Sequence, residues 1–145
     1  MRRLLKFFRL PGPERAAVLQ ALTLLWGMRL GLWLAPFARL QRWAGARPPS
    51  ERHGLPAPRL AWAITAASRA VPRATCLTQA LAGQVLFAQH GHRSQVHLGV
   101  ARGADRQFEA HAWLTCAGRV VLGAAEPGRF KPLPAFEPPT PKEAP

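Results

Sequence analysis

Residues 75–81, Thr75-Cys76-Leu77-Thr78-Gln79-Ala80-Leu81, read as the start of a helix that carries a cysteine in its first turn. Thr75 has the side-chain oxygen that an N-cap requires, which puts Cys76 at the first helical position. Leu77, Ala80, Leu81, Val85 and Leu86 follow as a buried face. Gln89-His90-Gly91 closes the helix, with Gly91 suited to a left-handed C-cap. Unpaired N–H groups and the positive end of the helix dipole favour a thiolate over a thiol at such a helix start. Taken alone, the same cysteine reads more readily as a small buried hydrophobe.

Downstream the periodicity changes. Residues 94–101, SQVHLGVA, alternate as a strand, with Val96, Leu98 and Val100 on one side and Gln95 and His97 on the other. A turn at Arg102-Gly103-Ala104-Asp105 leads to a second strand over 107–116, where Phe108, Ala110, Ala112 and Leu114 alternate with Gln107, Glu109, His111, Trp113 and Thr115. Ala117-Gly118 returns the chain into Arg119–Gly123. Three strands in a meander beside helices predict an α+β domain. His111 stands 35 residues after Cys76, on the polar strand face beside Trp113. Brought to the cysteine, its imidazole can take the thiol proton and later protonate a leaving amine. His97 is a second candidate base. His111 is preferred because Trp113 can shield an ion pair there and the next hairpin can carry an orienting group. His90 and His92 flank a helix end and are expected to face solvent, and Cys116, at the hairpin, is expected to be structural or exposed.

Upstream, residues 59–70 form a further helix with Leu60, Ile64 and Ala67 on one side, stopped by Val71-Pro72. The first ten residues, MRRLLKFFRL, suit a short surface or interfacial helix. Residues 14–43 read as helical, with Pro13 just before the start and Pro36 ending or kinking the run. Leu19, Leu22, Leu25, Trp26, Leu30 and Trp33 make a broad apolar face. The span 16–38 is long enough to raise the question of a membrane. Arg29 opposes a crossing, at about 2.5–3.5 kcal/mol near mid-membrane. The four basic groups among the first ten residues and the lack of a small-residue cleavage site oppose a signal peptide. Packing on the domain or on a partner protein is the preferred fate of residues 1–43, with peripheral membrane contact second.

The 145 residues suffice for one domain with a modest core, and 48% hydrophobic content argues against disorder. Prolines crowd at 48–58 and 127–145. The expected organisation is an N-terminal basic and apolar helical region at 1–47, a Pro-rich linker at 48–58, a core at 59–134 and a Pro-rich tail at 135–145. Two cysteines make no disulfide scaffold, and no Cys/His group has zinc spacing, so no metal and no cofactor is expected. The formal charge of +13 would attract any polyanion. Its arginines are dispersed and no nucleic-acid motif accompanies them, so nucleic acid is not an expected partner.

The whole pattern resembles the transglutaminase-like, papain-like core of lasso-peptide leader peptidases. Trp62 through Pro72, Cys76-Leu77, Gln79-Ala80-Leu81, His97-Leu98-Gly99-Val100, Phe108 with Ala110-His111-Ala112-Trp113, and Val121-Leu122-Gly123 carry the resemblance, over roughly residues 59–134. The basic, Leu/Trp-rich N-terminal region resembles that of the free-standing form, whose leader-binding module is a separate small protein. The resemblance implies a cytoplasmic cysteine protease that cuts a ribosomally made precursor peptide between leader and core. A partner ATP-dependent lasso cyclase would then close the macrolactam. It implies Cys76 as nucleophile, His111 as base, a separate leader-recognition protein, and neither metal nor nucleotide.

One departure is plain. Such enzymes place an orienting Asp on the strand after the histidine, whereas the one Asp of this chain is Asp105, upstream. With a two-residue loop at Ala117-Gly118, Cys116 pairs with Arg119 and His111 falls near Ala124. Glu126 is the nearest acid and the candidate for a displaced third member; a backbone carbonyl, Gln107 or water are the other candidates. An acyl-transfer enzyme or inactive scaffold of the same fold, and a basic membrane- or nucleic-acid-associated adaptor, are the alternative functions. The Cys76 backbone N–H is the candidate oxyanion donor, and Gln79 is expected to pack or to contact substrate.

Overall fold

The long apolar run breaks where proline dictates. Helix α1 covers Arg2–Phe8, α2 covers Gly12–Leu34, and α3 covers Phe37–Gly45. Ala35 is extended, as a residue before proline tends to be, so α2 ends and α3 restarts after Pro36. Helices α4 (Ala57–Ser68) and α5 (Cys76–Gln89) follow, then strands β1 (Ser94–Arg102), β2 (Phe108–Cys116), β3 (Arg119–Leu122) and β4 (Lys131–Pro132). The computed structural model describes residues 1–124 and 129–132.

Helix α5 is the centre of the molecule. Residues 80–88 are buried on every side, with Leu81, Val85, Leu86 and Phe87 fully enclosed. Helices α2, α3 and α4 lie against it from one side and the sheet from the other. Helix α4 contributes Leu60, Ala63, Ile64 and Ala67, which includes the side expected from its spacing.

The packing of α2 corrects the expected apolar face. Ala17, Ala21, Leu25 and Met28 form its buried stripe, and of the six large residues expected there only Leu25 is enclosed. Small residues win because α2 sits against α4 and α5 at once, and alanines let three helix backbones approach closely. Leu19, Trp26, Leu30 and Trp33 lie on the opposite side, exposed.

The chain reverses after α5 through His92, whose N–H bonds the Phe87 carbonyl. The segment 48–58 is tied to this corner. Ser50 N–H bonds the Ala88 carbonyl, Gly54 N–H bonds the His90 carbonyl, and Leu55 N–H bonds His90 Nδ1. His92 Nε2–H donates to the Leu55 carbonyl at 2.8 Å. His90 Nδ1 accepts, so its Nε2 carries the hydrogen and donates to Gln20 Oε1 at 3.1 Å. The two imidazoles therefore brace the corner rather than facing solvent as expected. Burial, and after it the neighbouring His92, lower the His90 pKa from its ordinary value.

The sheet is antiparallel, in the order β3-β2-β1-β4. The meander of three strands is as expected. The fourth strand, on the outer edge of β1 with Gly99 opposite Pro132, is an addition. The Ala117-Gly118 turn has positive φ at both residues, and Cys116 pairs with Arg119 as the two-residue loop requires. A bulge then intervenes: Thr115 pairs with Val120 but Leu114 with Leu122. That extra residue shifts the register by one beyond the turn.

Candidate active site

Thr75 caps α5 as its position predicts, its Oγ1 accepting from Thr78 N–H at 3.3 Å. Cys76 is the first helical residue, half-buried, with its side chain against the edge of the core. Thr78 N–H is taken by the cap and Gln79 N–H by the Thr75 carbonyl. Among the described residues the Cys76 and Leu77 N–H groups have no such partner, so the helix start presents two donors next to the sulfur. Gln79 does not share that task. Its Nε2 donates to the Ala74 carbonyl at 3.0 Å and so clamps the turn that leads into Cys76.

On β2 the strand alternation separates two faces. Ala112 and Leu114 are buried on the side of α5, while His111 and Trp113 project from the other face, half-buried. His111 Nε2 lies 2.7 Å from the Gly123 carbonyl oxygen. A carbonyl only accepts, so Nε2–H donates and the neutral ring keeps its lone pair on Nδ1. The backbone carbonyl, one of the candidates for the orienting group, thus holds the ring. Gly123 has φ +73°, a left-handed conformation. A Cβ there would stand 2.6 Å from the Ala112 carbonyl oxygen, so only glycine brings its carbonyl to this place without displacement. Glu126, the candidate displaced acid, lies outside the described residues.

The ring is also packed. Trp113 stacks near His111 at 6.3 Å between centroids and near His97 at 5.6 Å. Phe130 lies 4.9 Å from His111. Gly99, the cross-strand neighbour of His111, leaves the room: a Cβ would meet the Trp113 ring at 2.8 Å and Phe130 Cβ at 2.9 Å. Phe130 reaches the site because β4 follows it onto the edge of β1, and sequence reading missed it. Its one signal was an aromatic residue within a Pro-rich stretch.

His97 is engaged elsewhere. Thr115 Oγ1 gives its hydrogen toward the Gln95 carbonyl at 3.5 Å, so His97 Nε2–H donates to that hydroxyl at 2.8 Å. Because the chain reverses between α5 and β1, Cys76 lies at the end of α5 toward which β1 runs. Along β1, the cross-strand partner of His111 is Gly99, two residues beyond His97. Among the described residues no hydrogen bond joins Cys76 Sγ to either imidazole. Cys116 is partly buried against the core, and that burial raises its thiol pKa, which keeps it a thiol at neutral pH. No group of three or more His, Cys, Asp or Glu side chains among the described residues is arranged to hold a metal.

The structure holds a cysteine at a helix start and a carbonyl-tethered histidine on the sheet, and among the described residues no hydrogen bond joins the two. The sequence matches the transglutaminase-like superfamily over residues 17–135. The match takes in most of α2, all of α3, α4 and α5 and the four strands, and the chain belongs to that superfamily. No curated protein and no solved structure matches it.

Proposed function

We propose that this chain is a cysteine peptidase that removes the leader from a lasso-peptide precursor before macrolactam formation. The observation that carries the proposal is the His111–Gly123 bond, which commits Nε2 and leaves Nδ1 as the base, in a superfamily match that spans both His111 and Cys76. The resemblance of the Cys-Leu helix start and the His-Ala-Trp strand to leader peptidases supplies the substrate class.

In the proposed reaction Nδ1 of His111 takes the Cys76 thiol proton as Sγ attacks the carbonyl carbon of the last leader residue. Negative charge moves to the carbonyl oxygen, where the Cys76 and Leu77 N–H groups are the nearest preorganised donors. The C–N bond breaks, the imidazolium gives its proton to the core's amine, and the leader remains as a thioester on Cys76. Water then attacks the thioester, passing a proton to Nδ1. The leader leaves as a carboxylic acid and Sγ recovers its proton. His111 projects from the sheet face away from α5 and makes no hydrogen bond with Cys76, so the reaction requires the bound precursor or recognition protein to rearrange the start of α5 against the sheet. The Gly123 carbonyl serves as an orienting group for His111, and Glu126→Gln tests whether the displaced acid adds to it.

The partners of this activity are the precursor peptide, a separate leader-recognition protein and the lasso cyclase, all in the cytoplasm. Mass-resolved cleavage of the precursor in the presence of the recognition protein tests the proposal. Cleavage at one leader–core bond, abolished by Cys76→Ala and by His111→Ala, is the expected result, and Glu126→Gln decides whether a displaced acid supports the histidine. No cleavage by wild type in a demonstrated complex would overturn it in favour of a scaffold. Release of amine adducts in preference to free acid when an amine is supplied would instead identify an acyl transferase.

A further inference from the structure

Helix α2 has two apolar faces, and the fold uses one. At about 100° per residue the buried stripe of Ala17, Ala21, Leu25 and Met28 and the stripe of Leu19, Trp26, Leu30 and Trp33 lie on opposite sides. The second stripe is 41–82% exposed, with Trp33 the most exposed. Helix α1 adds Leu4, Leu5 and Phe8, each at least 60% exposed. Single exposed apolar residues need no explanation, but a continuous stripe of large ones does.

The charge around this surface is one-sided. Residues 1–47 carry nine Lys and Arg and one acid, Glu14. Glu14 is turned toward α4, where it pairs with Arg59 at 3.2 Å. This N-terminal region is thus strongly cationic, and Arg29 stands beside the exposed stripe, its guanidinium 5.7 Å from the Trp26 ring. Tryptophan and leucine flanked by Arg and Lys are what a helix presents when it lies in the plane of a bilayer interface. A polyphosphate chain would take the cations but give the leucines and tryptophans nowhere to go. A membrane crossing would strip α2 from the core, although its length and hydropathy suffice for one.

We propose that residues 1–34 dock the folded protein peripherally on an anionic bilayer, with the Leu19–Trp33 stripe in the headgroup boundary and the cations of α1 on the lipid phosphates. The docking leaves the α4–α5–sheet core and the candidate site unchanged.

Co-sedimentation of the full chain tests this with vesicles of phosphatidylcholine containing phosphatidylglycerol, against phosphatidylcholine alone. Binding to the anionic vesicles, weakened by salt and accompanied by a blue shift of tryptophan emission, is expected. Leu30→Glu with Trp33→Glu should weaken partitioning at least about tenfold. Replacing Arg2, Arg3 and Lys6 by Gln should weaken it on the order of a hundredfold. Both variants should keep the wild-type circular dichroism, since neither touches the core; if either loses it, single Trp33→Ser replaces it. Absence of vesicle binding by folded wild type, undiminished binding of the stripe variants, or equal binding to neutral vesicles would overturn the proposal. A lipid-free dimer abolished by the stripe variant would overturn it too, by assigning the face to a second copy.

Discussion

Helices α2 and α5 are both apolar along most of their length, yet the fold treats them differently. Helix α5 is enclosed by three helices and a sheet, so nearly every side chain from Ala80 to Ala88 is buried. Its two ends, the first turn with Cys76 and Gln89 at the last position, reach the periphery. Helix α2 touches the core through the stripe of Ala17, Ala21, Leu25 and Met28 and leaves Leu19, Trp26, Leu30 and Trp33 outside. Apolarity therefore serves cohesion in α5 and has a different use in α2. The cysteine stands half-buried at the N-terminal end of the central helix.

The contrast breaks most sharply at that end. Cys76→Ala and His111→Ala should each lower precursor cleavage by about a thousandfold or more, since a nucleophile and its base act as a unit. Thermal unfolding of both variants should remain close to wild type, because both side chains are only half-buried. Next in size is a paired truncation. Leu81→Ala in α5 should cost about 2–5 kcal/mol in chemical denaturation, as for other enclosed leucines. Leu30→Ala in α2 should stay within about 0.5 kcal/mol. Equal losses at the two positions would remove the distinction between the helices.

Smaller effects probe what holds the site and the corner. Gly123→Ala should destabilise by about 1–2 kcal/mol, because its φ is left-handed. It should also lower kcat by about ten- to a hundredfold by shifting the carbonyl that orients His111. A loss of stability with kcat intact would separate the carbonyl from catalysis. The smallest effect concerns His90. Its folded-state pKa lies below the ordinary imidazole value of 6.5, so the unfolded chain binds the proton more readily. That contribution is complete above about pH 6.5 and is lost as pH falls through the folded-state value. The melting temperature should thus fall on acidification in wild type and fall less steeply in His90→Gln.

Much of this was legible from local chemistry. The cap at Thr75, the helix to Gln89 and the Ala117-Gly118 hairpin each depend on a few adjacent residues, and spacing located them. The α+β class followed from the change in periodicity after Gly91. What escaped depends on contacts between distant segments. The buried face of α2 was misjudged because side-chain size says which residues are apolar, and three-helix packing decides which can approach. His90 and His92 were placed in solvent because the carbonyl and N–H of Leu55 that engage them lie more than 30 residues away. The Val121 bulge and β4 left no periodic signal, so the pairing beyond Leu114 and the arrival of Phe130 were not visible. The His111 tether was legible only as one of several candidates, since a backbone carbonyl has no letter in the sequence.

The partnership of Cys76 with His111 is the central claim, and it can be tested without knowing the substrate. Alkylation by iodoacetamide at neutral pH, followed by peptide mapping, reads the rates at Cys76 and Cys116 separately. Cys76 should react faster than Cys116 in the wild type, and His111→Ala should slow Cys76 while leaving Cys116 unchanged. An unchanged rate at Cys76 in the folded His111→Ala protein would contradict the pairing and leave Cys76 a residue of the core's edge.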